Sequence, residues 1–380
     1  MINKTIHFRA VWILLWGIFL SIPTIVGAQP TQPNQSNPLL LRTVPIMDQY
    51  GWAQPVVAKT LLVPADWQVQ GGIRWKVEDF SGCTGDMIEE RFMATSPDGK
   101  IVFEILPNAF WQWSENPLSQ TEIQMRGCRV APPLDAQGVL NQYVIPTFRP
   151  GVNLREAKPS PEAAQGAYED VYRLWGPLLQ MQQGTLKTDA ISAVIEYRQG
   201  ERLYEERIAL TTSVATAPTV LGPMYSCATL QIYTFRAPKG ELEKYENLFS
   251  TMIASVRVNP VWEQAVVLLA VKINTGISMA AGERARIWQQ TMQQIGEMRV
   301  RTWEKSQESL ARVSQSWSRT MRGVDAYLDP TTQNRVELPT GYRNAWSNGM
   351  GEYILSPDPA YDPNVELRRG NWQRMQQIQK

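Results

Sequence analysis

No histidine follows residue 28; the only one, His7, lies in a leading segment that reads as an export signal. Histidine is the usual general base near neutral pH and the commonest metal ligand. A hydrolase or zinc enzyme built on the remaining residues must therefore use rarer chemistry, and none is spelled out. There is no P-loop, no G-x-G-x-x-G, no S-x-x-K and no C-x-x-C. No cofactor is expected. Beyond Ala28 the chain also lacks an apolar run approaching the roughly 20 residues a membrane helix needs. No integral membrane span is expected once the leader is gone. Neither sign of charge dominates. The chain holds 37 basic and 36 acidic residues, and loss of Lys4 and Arg9 with Met1–Ala28 leaves 35 against 36, a formal charge of −1. A near-neutral chain has no electrostatic reason to seek nucleic acid.

The leader carries Lys4 and Arg9, then the apolar run Val11–Ile22, a helix-breaking Pro23, and the small residues Gly27-Ala28 before a polar stretch. That is the pattern of a cleaved secretory signal over residues 1–28, with retention as an anchor as the other reading. No cysteine stands at the cleavage point, so the protein is not expected to be a lipoprotein. Its expected place is periplasmic or extracellular.

Three cysteines are few for an exported chain of this length: one bridge and one leftover thiol. Of three possible pairings, Cys83 with Cys128 is favoured, because both sit in glycine-flanked polar segments, Ser81–Gly85 and Arg126–Arg129. Cys227, at the head of an expected strand, reads as a buried inert thiol.

Residues 29–58 read as a Pro-rich linker and an ordered lead-in, with order starting between Leu39 and Lys59. Residues 59–259 show mixed strand and helix patterns. Lys59–Val63 is a short apolar strand. Arg91–Thr95 and Lys100–Leu106 flank Ser96-Pro97-Asp98-Gly99, the clearest hairpin signal. Ala193–Arg198 and Arg202–Thr211 flank Gln199-Gly200-Glu201, a second hairpin whose imperfect alternation suggests one face only partly buried. Thr229–Arg236 follows as a strand. Ala163–Gln183 reads as a helix interrupted at Pro177. In Glu241–Val256, the residues Leu242, Tyr245, Leu248, Phe249, Met252 and Ile253 share one helical face.

The order of strand, S-P-D-G-K hairpin, further strands and a closing helix after Phe235-Arg236-Ala237-Pro238-Lys239-Gly240 resembles the PsbP-like fold, over roughly Leu61–Val258. The resemblance implies an α+β architecture, a twisted antiparallel sheet covered by helices. It also implies protein binding rather than catalysis. The tail, with Gly341-Tyr342, Trp346, Gly351-Glu352-Tyr353 and Asp362-Pro363-Asn364, resembles the C-terminal segment of uncharacterised exported bacterial proteins and implies no activity.

Residues 260–328 read as a long helix. Trp303, Leu310, Trp317 and Val324 recur every seven residues, with Val313 and Tyr327 at the second seam position. Such a repeat favours lengthwise packing on another helix. The plain reading is a helix folded back over the first domain as core. Self-association as a coiled coil and docking on an envelope protein are the alternatives. Gly276, Gly282 and Gly296 mark points where it could break. Residues 329–380 read as a small β module, with strands at Arg335–Leu338, Asn344–Ser347 and Glu352–Leu355. It is too short to stand alone and must pack on the helix or first domain.

Chemical motifs are sparse. Leu338-Pro339-Thr340-Gly341 lacks one residue of a sortase signal and has no apolar tail behind it. Asp358, Asp362 and Asn364 offer oxygen ligands, but their spacing is that of turns rather than of a calcium loop. Glu89-Glu90, Glu104, Glu196, Glu205 and Glu206 would allow a carboxylate pair for glycoside hydrolysis, as would the acids of any chain this size. Twelve tryptophans remain after Trp12 and Trp16 leave with the signal. Trp111 and Trp113 alternate onto one face of a strand, as a core layer or as an exposed platform. Tyr342, Trp346 and Tyr353 form a second aromatic group with the same two readings. The candidate binding surface is thus Trp111, Trp113, Trp303, Leu310, Trp317, Tyr342, Trp346 and Tyr353. The expected function is an exported, non-enzymatic binding or adaptor protein. The alternatives are a carboxylate-based envelope hydrolase and a glycan-binding module.

Overall fold

The computed structural model describes residues 38–52, 54–76, 83–275, 290, 317, 323–368 and 370–378. The export signal, the Pro-rich linker, and Trp303 and Leu310 of the seven-residue repeat lie outside the described residues.

The centre of the fold is a meander of three long strands, β8 (Thr185–Gln199), β9 (Arg202–Ala217) and β10 (Met224–Pro238). The first two join through Gly200-Glu201, where Gly200 takes a φ of 61°. Beyond them β5 (Val102–Ile105), β4 (Ile88–Thr95) and β3 (Gln68–Trp75) add antiparallel neighbours to β10 in that order. The β4–β5 reversal uses Ser96–Gly99. There Asp98 Oδ1 accepts from Ser96 Oγ at 2.7 Å and from Lys100 N–H at 3.1 Å.

Both faces of the meander are covered. On one, Tyr233, Phe235 and Phe103 pack against α5 (Glu246–Ala254), with Phe249 5.1 Å from Phe235 and 6.0 Å from Phe103. Beside them α4 (Pro161–Met181) approaches through buried Ala163, Gly166 and Ala167, small residues that let its backbone come close to β8. This helix runs through Pro177 without stopping. The face expected over Glu241–Val256 is all buried, though its first turn, Leu242–Tyr245, is 3-10 rather than α. On the other face, Ile191, Ala193, Ile195, Ile208, Leu210 and Ile232 are capped by α2 (Ala136–Val139), a π turn (Leu140–Val144) and α3 (Ile145–Phe148). Pro146 has no N–H to give, and the turn ahead of it widens to π spacing. Over Leu203–Arg207 one face of β9 stays open or half-buried while Tyr204 and Glu206 are buried, as its imperfect alternation suggests, and only Ile208–Ser213 is buried on both faces.

The tail does not form one small sheet. β14 (Asn344–Ser347) and β15 (Glu352–Ser356) make a hairpin that joins the large sheet through β1 (Leu39–Asp48), with Leu39 opposite Leu355. β1 also pairs with β2 (Val56–Pro64) and touches β3 in parallel at Asp48 and Ile73. The third expected strand, β13 (Arg335–Pro339), lies at the edge of a separate three-stranded sheet, where it pairs with β12 (Val324–Leu328), and β12 pairs on its other side with Gln376–Ile378 near the chain end. That corrects the helix expected over 260–328. Its first turns are helical, as α6 (Pro260–Thr275), but Val324 and Tyr327 sit on β12 and not on a helical seam. Gly323, at φ 103°, stands immediately before the strand, in a conformation that ends a helix readily. Trp317 is helical and 0% exposed within the main core, so this position of the repeat faces inward. The Asn348–Gly351 link is a four-residue loop, with Gly349 and Gly351 both at positive φ.

Candidate functional site

Glu104 on β5 pairs with Thr234, and Glu206 on β9 pairs with Arg236. Both project from the face covered by α2–α3, and Tyr197 on β8 lies one alternation beyond Ile195 on that same face. Arg149, the residue that ends α3, reaches into the gap between the two carboxylates. Its Nε donates to Glu206 Oε2 at 2.8 Å and Oε1 at 3.0 Å, and Nη2 donates to Oε1 at 2.8 Å. Nη2 also pairs with Glu104. Tyr197 Oη donates to Glu206 Oε2 at 2.6 Å. Glu206 is 0% exposed.

The electrostatics follow from that geometry. Burial alone would lower the Arg149 pKa. The hydrogen bonds and charge of Glu206, and then Glu104, outweigh burial and raise it. Burial first, and then the Glu206 charge and hydrogen bond, push the Tyr197 hydroxyl above its ordinary range. Both oxygens of Glu206 accept hydrogen bonds from Arg149 or Tyr197, so it has no free lone pair aimed at a substrate. Its geometry is that of a clamp holding the α3 end on the sheet. Glu104 is the partly exposed carboxylate of the two.

The other acids considered for catalysis are also engaged. Glu90 pairs with Lys59, and Glu89 accepts from Arg74 at 3.0 Å. Glu196 lies 2.9 Å from Lys239, whose hydrogen bond holds its carboxyl below the usual range. Glu205 accepts from Gly240 N–H at 3.0 Å. Asp358 and Asp362 act as turn and cap acceptors, for Ala360 N–H at 2.8 Å and Asn364 N–H at 2.9 Å. Among the described residues, no group of three or more acidic, Cys or His side chains is placed to hold a metal ion.

The aromatic candidates separate. Trp111 is buried, with its indole N–H donating to Pro132 O at 3.1 Å, while Trp113 is half-buried beyond it on the same strand, β6 (Phe110–Ser114). Tyr353 is core, Tyr342 is half-buried against that core, and Trp346 is half-buried on β14. Trp346 pairs with Ile354 and Ser347 with Tyr353, so Trp346 and Tyr353 leave opposite faces of the hairpin. The tail aromatics thus do not assemble into one surface.

Cys83 and Cys128 form the disulfide, with Cα atoms 5.0 Å apart. Cys227 is buried and free, and burial pushes its thiol pKa up to about 12.

Sequence reasoning missed Arg149 and Tyr197, and it missed Asp48. The Asp48 carboxylate, also fully buried, accepts from Gly51 N–H and the indoles of Trp75 and Trp262, each at 2.9 Å. Arg149 carries no local signal, since it stands alone between Phe148 and Pro150. The sequence matches no protein-family model, and no curated protein is similar enough to count as a relative.

Proposed function

We propose that this chain is an exported, non-enzymatic binding or adaptor protein of the cell envelope, with a PsbP-like domain over roughly residues 61–258. The observation that carries the reading is the state of its carboxylates. Where the fold gathers Glu104 and Glu206, the pair most suited to acid–base work, Arg149 and Tyr197 occupy them. A glycosidase pair needs one carboxyl free to give a proton and the other free to attack or to activate water. The Cys83–Cys128 bridge supports export, since such bonds persist in oxidising compartments. No helix among the described residues is long and apolar enough to cross a membrane.

The test is cross-linking of the tagged full chain in the intact host envelope, followed by titration of the purified captured protein. Saturable binding that Glu104→Gln leaves unchanged is expected. Capture of no partner, together with turnover of an envelope glycan or peptide that Glu104→Gln abolishes, would replace this reading with the hydrolase.

A further inference from the structure

From Ile208 to Phe235 the chain contains no Asp, Glu, Lys, Arg or His. This stretch is most of the β9–β10 hairpin, and its far end is not buried. Exposure rises from half-buried at Val214 and Ser226 to open at the tip, where Val220 is 102% and Leu221 45% exposed. The tip is well ordered by its own hydrogen bonds. Thr219 and Gly222 exchange backbone bonds at 3.2 and 3.1 Å, Thr219 Oγ1 donates to Gly222 O at 2.6 Å, and Leu221 N–H donates back to Thr219 Oγ1. The positive φ of this reversal falls on Gly222, at 102°, and neither Val220 nor Leu221 takes one, so the turn would accept most polar residues at both positions. A valine and a leucine held there in water bring no gain to folding, which marks a functional surface.

Three features select a lipid bilayer as the occupant. The first is the lack of charge, which suits a segment that leaves water. The second is an aromatic pair set back from the tip. Tyr225 is directly opposite Trp113, and both are half-exposed. Tyr225 stands four residues behind Leu221, at most about 13 Å away even on an extended chain. Amphipathic rings settle at the headgroup level, and interfacial apolar groups sink about 5–10 Å. The third is company at the same end of the sheet. Ser114 is opposite Met224, and α1 (Pro117–Met125) starts shortly after Ser114 with Leu118 exposed. Thr185 is opposite Thr216, and α4 ends just before it with Met181 exposed. A partner strand finds no opening on β10 here, since Met224–Ala228 is already paired with β6 on one side and β9 on the other.

We infer that the β9–β10 hairpin docks the protein on a membrane surface, with Val220 and Leu221 in the acyl boundary and Tyr225 and Trp113 at the headgroups. The test is flotation of the chain beginning at Gln29, so that the apolar leader contributes nothing. The vesicles are phosphatidylcholine with and without phosphatidylglycerol. The wild type is expected to float with both, because the contact is apolar. Val220→Asp and Leu221→Asp should each weaken binding by about tenfold or more, the worth of one buried apolar side chain. Val365→Asp, at an exposed apolar position elsewhere, should change nothing. A dye on Val220→Cys should shift to the blue on adding vesicles, and one on Val365→Cys should not. Failure of the wild type to float, or flotation of Val220→Asp equal to wild type, overturns the inference. So does a loss of self-association by Val220→Asp in sedimentation with flotation intact, which would make the tip a contact between copies of this chain.

Discussion

Replacing Arg149 with methionine removes the cation from a cluster in which Glu206 has no water to turn to. The side chain loses three contacts to Glu206, its pairing with Glu104 and a bond to Phe148 O at 3.0 Å, while methionine keeps much of the apolar stem. Two magnitudes compete. An exposed ion pair is worth about 0–1 kcal/mol, whereas stripping one partner from a buried pair costs about 3–5 kcal/mol, because a charge stays behind uncompensated. Full burial of Glu206 places this site in the second class. Arg149→Met should therefore lower the unfolding free energy by about 3–5 kcal/mol at neutral pH, measured by urea denaturation. The double variant Arg149→Met with Glu206→Gln should recover more than half of that loss. Its amide is uncharged and still accepts the Tyr197 hydroxyl. A loss under about 1 kcal/mol for the single variant, the range of a surface pair, would refute the reasoning. So would a double variant no more stable than the single one.

Three further outcomes are expected. Cys83→Ser with Cys128→Ser opens a 45-residue link and should cost about 4 kcal/mol in the chain-entropy model, read from denaturant midpoints. In the native protein Cys227 should resist alkylation until the chain unfolds, since its thiol is buried and its pKa is near 12. Asp98 also has a pH signature. Burial raises its pKa, but the hydrogen bonds from Lys100 and Ser96 outweigh burial and hold the folded value below 3.8. A depressed acid contributes stability that is present above its unfolded pKa and lost as pH falls through the folded value. Asp98→Ala should thus be less stable than wild type at neutral pH, with the gap closing below pH 3.8. A gap that stays constant down to strong acid would show that Asp98 acts only through turn geometry.

Much of residues 59–259 was legible because the signals there are local. Ser96–Gly99 and Gly200-Glu201 specify reversals within a few residues, and the apolar face of Leu242–Ile253 recurs at helical spacing whatever lies opposite. The Cys83–Cys128 pair was readable from its polar, glycine-flanked surroundings. The seven-residue repeat misled at its end. Periodicity cannot tell a helical seam from a strand when only Val324 and Tyr327 remain to test it, and Gly323, at positive φ immediately before β12, was overlooked.

Composition and pattern by themselves settled the two hairpin reversals, parts of the three long strands, the apolar helix face and the near absence of net charge. Each of these depends on a residue and its neighbours within one or two turns of chain. The tertiary structure alone decided that Leu39–Arg42 pairs with Glu352–Leu355, that Arg149 meets Glu104 and Glu206, and that Asp48 meets Trp75 and Trp262. Those partners are far apart in the chain, and no local energy term links them. They meet because the α3 end is laid over one face of β8–β10, while β1 pairs with β15 towards the other end of the same sheet.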